Sequence, residues 1–205
     1  MITIVDYGVC NVGSLANMLK KIRQTYLVTS DPDLVFKADK LLLPGVGAFD
    51  AGMKRLNEAG LADAIRAAAE REVPLLGICL GMQILCDSSE EGTLPGLGLI
   101  PARSKKFVSP ADGPEIRVPH MGWNEVRPQR SHPLFNGLEN RSRFYFVHSY
   151  KVDCTNPDHE LAKSTHGDEF TASFARDHIL AVQFHPEKSH KFGMKMLSNF
   201  AELKL

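Results

Sequence analysis

The sequence has no surplus of charge: its 205 residues set 24 Lys and Arg against 24 Asp and Glu, with an isoelectric point near 7.1. A chain without a basic field has little to offer a polyanion, so nucleic acid and acidic membrane are excluded as expected partners and small molecules and proteins remain. Long hydrophobic runs are also missing. The longest, LLLPGVGAF at 41–49, is too short to span a bilayer, and the opening MITIVDYG has neither the basic start nor the apolar core of a secretory signal. A cytoplasmic protein is the expectation. Cysteine is scarce: Cys10, Cys79, Cys86 and Cys154 form no C-x-x-C pair and no metal-ligand spacing, which excludes a disulfide framework and leaves free thiols, most of them inert packing residues. The histidines form no H-E-x-x-H or comparable ligand set, so no metal is expected. With no repeat, low-complexity tract or linker, residues 1–205 read as a single domain, and a hydrophobic share of 43% is ample for its core.

What is present in the first half is an alternation of β-branched runs with helical periods. ITIVD precedes a helix carrying Leu15, Met18, Leu19 and Ile22; then come YLVTS, KLLLP, an Ala-rich segment from about Leu61 to Glu70, and PLLGI running into CLGMQILC. This βαβ rhythm predicts parallel strands with crossover helices, and the lack of polar alternation predicts strands covered on both faces. From Leu94 onward, Pro- and Gly-punctuated segments predict antiparallel strands and hairpins, with a turn at Arg176-Asp177-His178, before a last helix over Lys191 to Leu203. The fold class is a single three-layer α/β domain with a central, mostly parallel sheet and added antiparallel strands.

Three short motifs carry chemistry. Gly77-Ile78-Cys79-Leu80-Gly81 lies where an apolar strand gives way to a helix, matching a G-x-nucleophile-x-G elbow with cysteine as nucleophile; the glycines let a strained turn close, and a helix N-terminus favours thiolate. The same pentapeptide also suits a buried cysteine between packing glycines. His185 ends the run ILAVQF and is followed by Pro186 and Glu187, so in an extended segment His185 and Glu187 share a side, as base and orienter; alternatively H-P-E is a strand-ending turn. Gly45-Val46-Gly47 follows a third strand end, where backbone N–H groups suit an oxyanion hole better than an incomplete phosphate loop.

PGVGAF, GICLGMQ and QFHPE, in this order and at these gaps, resemble the triad-type class I glutamine amidotransferases, nearly end to end. Within that superfamily, DYGVCNVGS, PHMGWN, FYFVHSY and HPEKS resemble the glutaminase subunits of imidazole glycerol phosphate synthases. The resemblance implies Cys79 as nucleophile, His185 as base and Glu187 as its orienter. It implies oxyanion donors at Leu80 and in the turn at Val46 and Gly47, and glutamine contacts at Gly45, Gln83, Glu91, Ser149 and Tyr150. It implies no cofactor, and a (β/α)8 synthase (cyclase) subunit as heterodimer partner, met by Asn11, Trp123, Asn124 and Lys188. Two alternatives stay open: a paralogue supplying ammonia for a surface-polysaccharide sugar, and a non-glutaminase, peptidase-like member of the fold. Cys10 stands where the family pattern usually has glycine, so the turn after the first strand is expected to differ.

Overall fold

The computed structural model describes residues 1–109, 115–138 and 142–204. Its first half runs β1 (Ile2–Val5), α1 (Val12–Lys21), β2 (Tyr26–Thr29), α2 (Pro32–Phe36), β3 (Leu41–Gly45), α3 (Phe49–Glu58), α4 (Leu61–Glu70), β4 (Leu75–Cys79) and α5 (Leu80–Ile84). The second half supplies β5 (Ser88–Ser89), β6 (Ala102–Lys106), β7 (His120–Pro128), β8 (Ser142–His148), β9 (Tyr150–Cys154), β10 (Glu160–His166), β11 (Asp168–Arg176), β12 (Ile179–Val182) and α6 (His190–Glu202).

All these strands join one mixed sheet whose main path is β2-β1-β3-β4-β12-β11-β10-β7-β8. The five strands from β2 to β12 are parallel, as the first-half rhythm predicts. Beyond β12 the main path is antiparallel, so the added strands are a continuation of the central sheet. The β11–β12 hairpin turns on Asp177 and His178, with Asp177 left-handed at φ 51°, a conformation that aspartate tolerates better than most residues.

The parallel strands β1, β3, β4 and β12 are buried at every position, and alternate residues enter opposite layers. Leu41, Leu43 and Leu75 pack with Phe49, Met53 and Leu56 of α3 and Leu61, Ile65 and Ala68 of α4. Leu42, Leu76 and Ile78 pack with Leu15 and Leu19 of α1 and Met196, Leu197 and Phe200 of α6. Two apolar faces need two helical layers, which is why these runs lack polar alternation. Asn11 caps α1 by accepting from the Ser14 N–H, while Lys20 and Lys21 favour its C-terminal end. Helices α2 and α3 were not legible in the sequence: α2 is a single turn started by Asp31 and Pro32, and α3 begins directly behind the glycine turn.

The site depends on the close approach of α5 to β3 and β4. A Cβ on Gly81 would collide with the Leu43 carbonyl oxygen of β3, and one on Gly77 would lie 2.9 Å from the Gly81 carbonyl carbon and oxygen. Because the colliding atoms are backbone, no rotamer change relieves them. Gly81→Ala is therefore expected to cost about 1–3 kcal/mol or more of folding stability in denaturant unfolding, whereas Gly13→Ala, 3.8 Å from its nearest neighbour, is expected to unfold like the unsubstituted chain.

Candidate active site

The carboxyl ends of β1, β3, β4 and β12 lie along one edge of the parallel sheet, where α/β folds bind ligands. Register makes the juxtaposition definite: Gly45 pairs with Cys79, and Val182 with Ile78, so the glycine turn, the cysteine and the segment after β12 converge. A cavity of about 470 Å³ opens there, lined by Val46, Gly47, Ala48, Cys79, Leu80, Gln83, Glu91, Pro119, Val147, His148, Ser149 and Tyr150.

Cys79 is the last residue of β4 and the N-cap of α5, with φ 54° and ψ −108°. A side chain held there is strained by about 1–3 kcal/mol, and such strain persists only where the surroundings enforce it. Helix α5 is only five residues long and buried throughout, so its dipole is slight; its first N–H groups, beginning with Leu80, have no partner within the helix and carry whatever anion-stabilising power it has. The other three thiols are out of the cleft and held protonated. Burial, then the Asp6 carboxylate, pushes Cys10 up to about 11; burial pushes Cys154 up to about 12 and Cys86 well above its ordinary value. Cys10 is also accommodated without a left-handed backbone, since the positive φ in that turn falls at Gly8 (79°).

His185 and Glu187 meet, although not in the way the extended reading expects. Pro186–Lys188 forms one 3-10 turn, and within it His185 Nδ1 lies 2.7 Å from Glu187 Oε1. Ser189 fixes the turn: its hydroxyl donates to the His185 carbonyl at 2.6 Å and accepts from the Tyr145 N–H at 3.0 Å. His185 Nε2 is buried and makes no hydrogen bond of regular geometry among the described residues. Its electrostatic partner is the Cys79 sulfur. Burial alone would lower the imidazole pKa, but Cys79 first and Glu187 second outweigh it and push the value up to about 10. The sequence-expected residues Cys79, His185 and Glu187 thus come together from positions over a hundred residues apart.

The oxyanion donors divide. Leu80 lines the cavity at the start of α5, but the Val46 N–H points away and donates to the Val9 carbonyl at 2.8 Å, so in this conformation the expectation of a cleft-facing Val46 donor is not met. Gly47, at φ 97° with open space where a Cβ would lie, leaves the turn room to rearrange. Gly45 does not line the cavity; it keeps the turn close, since a Cβ there would meet the Tyr7 hydroxyl and come within 2.9 Å of the Leu80 Cβ. Gln83 is buried, its amide N–H groups going to the Tyr150 carbonyl (3.3 Å) and Gln183 Oε1 (3.1 Å). Glu91 faces the cavity, and one of its carboxylate oxygens caps α3 by accepting from the Phe49 N–H at 2.9 Å. Ser149 and Tyr150 form the opposite wall.

The expected partner residues separate as well. Trp123 is 38% exposed and stacks on His190 with ring centroids 5.4 Å apart, a surface position and not a core one. Exposed Lys188 sits 5.6 Å from the Tyr145 ring centroid beside it. Asn124 differs: its amide is used inside the fold by His120, Thr165 and Glu125. Asn11 is likewise occupied as the cap of α1.

Two residues without an assigned role also reach the site. His148 lines the cavity, and Gln183 Nε2 lies 3.8 Å from the Cys79 sulfur. Both stand inside quoted motifs, and Gln183, two residues before His185 in an extended run, was legible as sharing its side.

The coupling of sulfur and imidazole has a direct check. Cys79→Ala removes the strongest influence raising the His185 pKa while burial still lowers it, so ¹⁵N-imidazole NMR is expected to find His185 doubly protonated through neutral pH in the wild type and losing that proton at lower pH in the variant. Identical titrations would mean that the sulfur is not its partner.

The family model "Glutamine amidotransferase class-I" matches residues 3–203. The chain is 48% identical over 204 residues to the imidazole glycerol phosphate synthase subunit HisH of Bdellovibrio bacteriovorus, covering 99% of this chain and 100% of that one. It is 50% identical over 201 residues to subunit HisH 2 of Methanococcus maripaludis, covering 98% of each. Among solved structures, a glutamine amidotransferase aligns with TM-score 0.74 at 19% identity, covering 98% of this chain and 97% of that one. The glutaminase domain of Trypanosoma brucei CTPS with bound acivicin aligns with TM-score 0.67 at 16% identity, covering 100% and 94%. At such identities the structures speak for the fold alone. The family model and the full-length relatives establish more: this chain belongs to the class I glutamine amidotransferases.

Proposed function

We propose that this chain is the glutaminase subunit of an imidazole glycerol phosphate synthase, hydrolysing glutamine through a Cys79 thioester in the cytoplasm and passing the ammonia to a (β/α)8 synthase subunit. The observation that carries the chemistry is the one cleft-lining thiol beside a histidine that Glu187 orients. Full-length identity to relatives bearing the HisH name supports the assignment of the acceptor pathway.

In this mechanism the Cys79 thiolate and the His185 imidazolium form the resting pair. Sulfur attacks the glutamine carboxamide carbon, a C–S bond forms, and the carbonyl electrons move onto oxygen, where the Leu80 N–H stabilises them. The intermediate collapses; the C–N bond breaks and the leaving nitrogen takes its proton from His185, departing as ammonia. A γ-glutamyl thioester remains. Water then attacks it while neutral His185 accepts a proton, and glutamate leaves as the thiolate is restored. Glu187 holds the imidazole on Nδ1 throughout. Gln83, with both N–H groups committed, offers its carbonyl oxygen to the substrate's amino-acid end, and Glu91, Ser149 and Tyr150 complete that wall.

The second oxyanion donor is the regulated part. With the Val46 N–H given to Val9, the chain by itself has one donor, and rotation of the Gly45–Val46 peptide supplies the other. Docking of the synthase subunit against the surface carrying Trp123, Tyr145 and Lys188 favours the rotated state. Asn124 and Asn11 shape that surface through the elements they hold.

Glutamate release should be slow for the chain alone and rise about 10³-fold with partner and acceptor-site ligand, equivalent to about 4 kcal/mol and within reach of one oxyanion donor. Cys79→Ala is expected to abolish it, while Cys10→Ala, Cys86→Ala and Cys154→Ala retain it. Full activity in the isolated chain would remove the gating. The acceptor is tested by growth: expressed with its cognate barrel in a bacterium lacking its own glutaminase subunit, the chain should support growth without histidine at low ammonia, dependent on Cys79. Stimulated glutaminase activity without such growth would assign the ammonia to another acceptor, such as a polysaccharide sugar.

A further inference from the structure

A line of hydrogen bonds runs from the interior of β7 to the sulfur, and backbone groups fix its direction. At one end, Asn124 Nδ2 lies 2.8 Å from the Thr165 carbonyl, which can only accept, and Asn124 Oδ1 accepts from the Glu125 N–H at 2.8 Å. The amide therefore presents N–H to His120 Nε2 at 3.0 Å, making that nitrogen an acceptor. His120 Nδ1 must then carry its proton and donate to His148 Nε2 at 3.0 Å. His148 Nδ1 in turn donates to the Tyr150 carbonyl at 2.7 Å, so both rings are neutral with defined tautomers. Burial agrees, lowering His120 to about 4 and His148 to about 3.

The Tyr150 carbonyl also receives Gln83 Nε2 at 3.3 Å, and this settles the Gln83 amide in the same way. Its second N–H therefore meets an oxygen, Gln183 Oε1, at 3.1 Å. With its oxygen turned to Gln83, Gln183 has only its N–H groups left for the sulfur of Cys79, 3.8 Å from Nε2. Gln183 is fully buried, so water does not compete for this contact.

We propose that Gln183 is a further catalytic residue: its amide N–H holds the Cys79 sulfur in its reactive position and favours the ionised form, with Gln83 as the positioning residue that keeps the amide facing the right way and His148 sharing the Tyr150 carbonyl that orients Gln83. This rests on the thioester reading above. The donation matters because it adds to the His185 imidazole on the sulfur, whereas the Val147 carbonyl, which accepts from the Cys79 thiol at 3.9 Å, can only repel a thiolate. The titratable groups that face the sulfur are His185 and, from behind the glycine turn, the Tyr7 phenol. Neither changes in the test below.

Gln183→Met keeps the volume and removes the donor. The full chain is alkylated with iodoacetamide across a pH series and modification of the Cys79 peptide is followed by mass spectrometry. The midpoint is expected to rise by about one unit, with about a tenfold fall in kcat and little change in KM for glutamine, as fits one hydrogen bond to a charged group. A folded Gln183→Met chain with the wild-type midpoint and kcat would overturn the proposal. Should that variant not fold, Gln83→Met frees the Gln183 amide to turn; a smaller upward shift supports the proposal, and no shift overturns it. Alkylation needs no turnover, so a shifted midpoint in a chain that never releases glutamate would uphold the Gln183 contact while the glutaminase reading failed.

Discussion

The rest of the structure depends on the turn at Cys79. A residue at φ 54° and ψ −108° does not stay there on local preference; it is held because β4 ends beneath α5 with glycines at the two contact points, Gly77 and Gly81. Remove the close approach of Gly81 to the Leu43 carbonyl and the helix lifts, the sulfur leaves the sheet edge, and the register that sets Gly45 opposite Cys79 no longer assembles a site. The two apolar layers supply the stability that offsets this strain, burying the four central strands at every position.

Electrostatics follows from that placement. The imidazole of His185 is buried, which by itself disfavours its charge, yet sulfur and Glu187 reverse the balance and keep it protonated well above its ordinary range. The opposite outcome holds a short distance away, where burial first and neighbouring histidines second keep both rings neutral, His166 acting on His120, and His120, His166 and His185 acting on His148. One fold therefore maintains charged and uncharged histidines within a single cluster of strands. The difference lies in partners, not in depth. The same reasoning separates the cysteines, since the thiols of Cys10, Cys86 and Cys154 are pushed up by burial while Cys79 alone lines the cleft.

Much of this was legible in the sequence, because the parallel strands are uninterrupted apolar runs and the elbow and H-P-E motifs sit at their ends. Helix α4 was readable in its approximate bounds from its Ala-rich composition, and Leu61, Ala62, Ile65, Ala68 and Ala69 form its buried face. What was not legible depends on distance in space. No pattern in PGVGAF tells which way the Val46 N–H points; that is decided by the Val9 carbonyl, thirty-odd residues earlier. Nor does HPE disclose that a 3-10 turn, and not an extended strand, brings Glu187 to His185. Asn124 was expected at the partner surface only through the PHMGWN resemblance, and the pairing of β7 with β8 and β10 is what brings His120, Glu125 and Thr165 around its amide.

The central claim is that Cys79, at the strained turn, becomes acylated by glutamine. It is tested most directly by acid-quenching the chain, with its synthase partner present, during turnover of isotopically labelled glutamine and mapping the label by peptide mass spectrometry. A γ-glutamyl group on the Cys79 peptide, lost on treatment with hydroxylamine, is the expected result; glutamate formed with no label on Cys79, or label on another residue, would contradict it.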